Sequence, residues 1–177
     1  MVISGCRATF IDHSALGVAL VAALLLGAVC AGEETGPGRP QLEVSFPEQV
    51  RSSAVATAIL RVTNPGPAAI DSLVVSFSLV GSAGGTVSEP LVASGARKQS
   101  PSIADVRPKP SGVSLDGVVF RFGEGSSPVL AAGEMISLEF DIRAPRPPGV
   151  SAGSVQVYAG ENPERAQGVR LETEVLP

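Results

Sequence analysis

The chain has 177 residues and a formal net charge of −4, with 44% hydrophobic and 17% charged residues. That is one domain, or one domain with a targeting segment, too apolar for a disordered chain and without the basic excess of a nucleic-acid binder. One His, two Cys, one Tyr and no Trp leave few side chains for metal, thiol or imidazole chemistry.

Ser14 to Gly32 is uncharged and reads SALGVALVAALLLGAVCAG. Arg7 and the N-terminal amine precede it, Asp12 is the one opposing charge, and Glu33 and Glu34 follow. A short basic region, an apolar stretch and small residues at its end describe a secretory signal peptide covering 1–31. A cut after Ala31 fits Val29-Cys30-Ala31, and Ala28-Val29-Cys30 allows one residue earlier. Two other fates stay open. LLLGAVC resembles a bacterial lipobox, which implies that Cys30 is lipidated and becomes the first mature residue. Gly27 and Val29 depart from that pattern, which prefers Leu and then Gly, Ala or Ser in those places. The uncharged run also reaches the roughly 20 residues of a spanning helix, and Arg7 before it suits a cytoplasmic N-terminus. In each case the protein is exported, to the periplasm, envelope or medium, and meets a membrane only through this segment. Cys6, Cys30 and His13 all fall within it, so the mature region has no disulfide and no imidazole.

Residues 32–40 are charged and rich in Gly and Pro, which reads as a tether. From Gln41 to Pro177 the pattern is period-two alternation. Leu42, Val44 and Phe46 share one face, and Ala54, Ala56, Ala58, Leu60 and Val62 share the next. Asn64-Pro65-Gly66-Pro67 stops that strand, since proline cannot donate to a ladder. Leu73, Val75, Phe77 and Leu79 form the clearest strand, and Gly81–Gly85 a turn. A short strand follows near Val87–Val92. Ser94 to Gly112 is polar and broken by proline, and reads as a long surface loop holding Arg97, Lys98, Arg107 and Lys109. Three more alternating runs lie at Val118–Phe122, Ile136–Ile142 and Val169–Val175, with Val155 and Val157 between the last two. The prediction is an all-β fold, an antiparallel immunoglobulin-like β-sandwich of seven or eight strands with a closed barrel as the other solution. Phe46, Phe77, Phe120, Phe122 and Phe140 are the expected core aromatics.

Two stretches carry a family resemblance. RVTNPGPAAIDSLVVSFSL (61–79) resembles the strand–turn–strand of bacterial surface immunoglobulin-like domains of the conserved-repeat, CARDB-like and glycosidase-associated types. VLAAGEMISLEFDIRAP (129–145) resembles their later hairpin, with Leu130, Gly133, Leu138, Phe140 and Pro145 on the matching places. The resemblance covers about half of the mature chain and implies a module that spaces, presents or binds at the bacterial envelope. The 94–112 insertion departs from it. Fold analogy does not fix function.

The candidate chemistry is sparse. Gly149-Val150-Ser151-Ala152-Gly153 fits G-x-S-x-G, but a nucleophile elbow needs a strand-to-helix turn and an imidazole base. A Ser–Lys pair would have to recruit Lys98 or Lys109. Glu139 with Asp141, and Glu172 with Glu174, stand two apart on strand faces, about 7 Å, a spacing that overlaps the inverting glycosidases. The stronger reading is a solvated face, with Arg143 and Arg170 nearby. No Cys/His cluster and no D-x-D-x-D run supports a metal, so no cofactor is expected. Tyr158, outward by phase, is the one ring on which a sugar could stack. The four cations of 94–112 could meet an acidic partner or anionic headgroups, and no aromatics interleave with them as in a nucleic-acid binder. The reading is an exported, non-catalytic module with a structural or protein-binding role and an unknown envelope or extracellular partner. A carbohydrate-binding accessory module is the alternative.

Overall fold

The computed structural model describes residues 39–78, 89–93, 95, 102–123, 128–160 and 162–177, all within the unit Glu34–Pro177. The export segment with Cys30, and the cations Arg97 and Lys98, lie outside the described residues.

The strands are β1 (Gln41–Ser45), β2 (Gln49–Arg51), β3 (Val55–Thr63), β4 (Leu73–Ser78), β5 (Glu89–Pro90) and β6 (Ile103–Arg107), followed by β7 (Gly112–Val113), β8 (Val119–Phe122), β9 (Met135–Arg143), β10 (Gly149–Ala159) and β11 (Gln167–Leu176). They form two sheets. Sheet A has the order β1-β3-β9-β6, and sheet B the order β2-β11-β10-β4-β8-β7, with β5 paired to β10. Most pairs are antiparallel, and the two short strands β2 and β5 run parallel to their neighbours. Alternation gives each sheet one apolar face, and the two faces meet in a main core.

Leu60, Leu138, Phe140 and Ile142 of sheet A pack in one cluster with Val75, Phe77, Phe120, Val155 and Leu171 of sheet B. Phe140 is the hub. Its ring meets those of Phe77 at 5.0 Å, Phe120 at 5.2 Å and Phe122 at 6.4 Å, all edge-on, as aromatic quadrupoles prefer. Phe46 does not join these rings and packs half-buried at the margin. A smaller cluster of Val50, Ala144 and Val175 forms a second buried patch, with Ala54 and Ala56 against it.

The described architecture is therefore all-β in two separate sheets, not a closed barrel, and it corrects the predicted elements in three places. Residues 94–112 are not one long loop, because β6 and β7 lie within them. β6 escapes a period-two reading because its register against β9 shifts between Ile103 and Asp105. That bulge turns Ile103 and Val106, three apart, onto the core side, where they are 3% and 4% exposed. The three residues of β2 are too few to show alternation. β10 begins six residues before Val155, because Ser151, Ala152 and Gly153 are all buried and small residues covered on both faces show no phase.

Arg39 donates to the carbonyl of Ala166 (3.0 Å) and the Leu42 amide to Gln167 Oε1 (2.9 Å), joining the start of β1 to the start of β11. Pro40 is already buried.

The turn Asn64-Pro65-Gly66-Pro67 is tied to the turn before β9. Asn64 is fully buried. Its Nδ2 donates to the carbonyls of Ala68 (2.8 Å) and Ala131 (3.1 Å), and its Oδ1 accepts from the Gly66 amide (3.1 Å). Its backbone amide donates to Glu134 O (2.9 Å), and its carbonyl accepts from the Gly133 amide (2.8 Å). The two stretches that carried the family resemblance are thus one connected unit, joined again by the Ile70–Leu130 bridge.

Candidate functional site

The outward face of sheet A, where β3, β9 and β6 lie side by side, gathers the densest charge among the described residues. Register sets it. Asp141 of β9 stands between Thr57 of β3 and Asp105 of β6, and Glu139 stands between Ile59 and Arg107. Alternation then turns Thr57, Glu139, Asp141 and Arg107 away from the core.

Arg107 lies across this group. Its guanidinium donates to Glu139 through Nε (3.0 Å), to both oxygens of Asp141 (2.9 and 3.1 Å) and to Asp105 (2.9 Å). Thr57 Oγ1 donates to Asp141 Oδ1 (2.7 Å), and Lys109 reaches Asp105 at 3.5 Å. Arg107 is 46% exposed and Lys109 87%, whereas Asp141 keeps only 19%. The guanidinium, followed by the Thr57 hydroxyl, holds the Asp141 carboxyl below its ordinary range. The Val106 amide, then Arg107 and Lys109, does the same for Asp105 against some desolvation. The carboxylates, chiefly Asp141 and then Glu139, push Arg107 further toward its charged form.

For Asp105, Asp141 and Arg107 the surroundings favour the charged form. A carboxyl that works as a proton donor near neutrality needs the opposite shift. The arrangement suits recognition by charge and shape rather than proton transfer. The cations of 94–112 are thus placed unequally: Arg107 belongs to a strand and spends its donors on carboxylates, while Lys109 extends beyond that strand into solvent.

Arg143, near the Glu139–Asp141 pair in sequence, instead donates its guanidinium to the carbonyl of Ser53 (3.3 Å). The cation on that pair is Arg107. Asp105 and Thr57 were missed as members of the group. The i, i+2 spacing of Asp105 and Arg107 would have put those two on one face, had residues 103–107 been read as a strand.

The other candidates are separate. Ser151 sits inside β10, paired with Thr173 and 1% exposed, so G-x-S-x-G here is strand and not a strand-to-helix turn. Glu172 takes the Arg170 guanidinium at 2.7 Å, and Glu174 accepts from Gln49 Nε2 at 2.9 Å. With Glu48, Val150 and Thr173 they line a shallow cleft of about 230 Å³. Tyr158 is half-buried on the outward side of sheet B, in register with Val74, which is itself fully buried. Among the described residues no three His, Cys, Asp or Glu side chains form a group that could hold a metal, and no helix is long and apolar enough to cross a membrane.

No protein-family model matches the sequence, and a search of curated proteins gives no match. Solved structures with some likeness are β-rich. BslA, a bacterial hydrophobin, is 8% identical, with 76% of this chain and 97% of that chain covered and a TM-score of 0.46. A β-glucosidase from Listeria innocua is 14% identical over 78% of this chain and 16% of that chain, at a TM-score of 0.37. The ASH/PapD-like domain of human CEP192 is 15% identical over 78% of this chain and 84% of that one, at a TM-score of 0.33.

Proposed function

We propose that this chain is an exported, non-catalytic module of immunoglobulin-like type that binds another protein at a bacterial cell envelope, through the segment 94–112 and the edge strand β6 within it. The observation that carries this reading is the Arg107 group. It is charged, half-exposed and at the end of a sheet, where a partner's backbone or side chains can be met. At the opposite end of sheet A, β1 is bonded across to β11. The uncharged stretch 14–32 supports export, and the burial of Ser151 within β10 supports a role without turnover. Stacking of sugar rings has less support, since Tyr158 is a single, half-buried ring.

Two measurements test this. The intact mass and N-terminal residue of the native protein, taken from membrane and medium fractions, should show a start at Ala31 or Gly32, a lipid-modified Cys30, or a retained segment in the membrane fraction. A full-length, soluble, cytoplasmic protein would overturn export. A glycan array should stay blank, and binding lost on Tyr158→Ala would establish the carbohydrate alternative instead.

A further inference from the structure

We draw no further inference here: the strongest candidate, the cleft on the outward side of β10 and β11 lined by Glu48, Glu172 and Glu174 beside Val150, is an acidic cluster with no second observation pointing to a ligand, because strand phase turns the buried, unpartnered hydroxyl of Thr173 toward the core and away from that cleft.

Discussion

Asn64 and Arg107 each tie several chain segments together through one polar side chain, yet they do different work. Asn64 is neutral, fully buried and satisfied by backbone partners from its own turn and from the turn before β9. Arg107 is charged, half-exposed and satisfied by side chains that water can also solvate. Removing a buried side chain leaves its backbone partners unsatisfied where water reaches them poorly. Removing an exposed ion pair returns its members to solvent at little cost. The first group holds the fold, and the second is where we propose that a partner binds.

The sharpest way to break that comparison is Asn64→Ala. It leaves the Ala68 and Ala131 carbonyls and the Gly66 amide without their side-chain partner. The expected loss is about 4 kcal/mol, from two or three groups at roughly 1–3 kcal/mol each, read as a fall in the urea midpoint at constant slope. A midpoint within error of wild type would show that Asn64 is not a keystone.

Gly123→Ala attacks the neighbouring turn differently. Gly123 has φ +80°, and a Cβ there would lie 1.9 Å from Val129 Cγ2 and 2.5 Å from the Asp71 carbonyl. Left-handed strain of roughly 1–2 kcal/mol and the forced backbone shift should together cost about 3 kcal/mol by thermal melt. Gly133, with φ +76° and open space around it, gives the control, since Gly133→Ala should show the strain alone.

Thr173→Val should move stability the other way. Its hydroxyl is buried without a partner, so an isosteric apolar side chain should stabilise by about 1 kcal/mol. A destabilised variant would show that the hydroxyl has a role in the sandwich interior.

The smallest effect belongs to the charged face. Arg107→Ala should leave the melting temperature close to wild type. Asp141→Asn sharpens the point through pH. The folded carboxyl titrates below its ordinary value, so its contribution is present above the unfolded pKa and is lost as pH falls through the folded one. The difference between wild type and Asp141→Asn should therefore be visible at neutral pH, shrink with added salt and vanish in acid below the carboxylate range. A difference that grows on acidification would contradict the assignment.

What the sequence made legible was the part of the molecule that obeys alternation. β3, β4, β8, β9 and β11 each show apolar residues on one face, and four of the five expected core aromatics meet around Phe140. The hidden parts broke that rule for physical reasons. The bulge in β6 spaces its buried residues by three, and Ser151-Ala152-Gly153 of β10 is covered on both faces. The candidate site suffered most, because its register depends on β6. Asp105 belonged to no sequence motif and Arg107 read as a loop cation until pairing with β9 brought both beside Asp141. Asn64 was legible as a strand stop but not as a staple, since the partner it ties in, Ala131, lies 67 positions away.

The most direct test of the account is affinity capture from the envelope fraction with the exported domain, comparing wild type with an Arg107→Ala/Lys109→Ala variant whose melting temperature has first been matched to it. The account predicts a partner protein retained by the wild type, eluted by salt and lost from the variant. Retention of the same partner by both proteins would contradict the claim that the β6 edge is where this module binds.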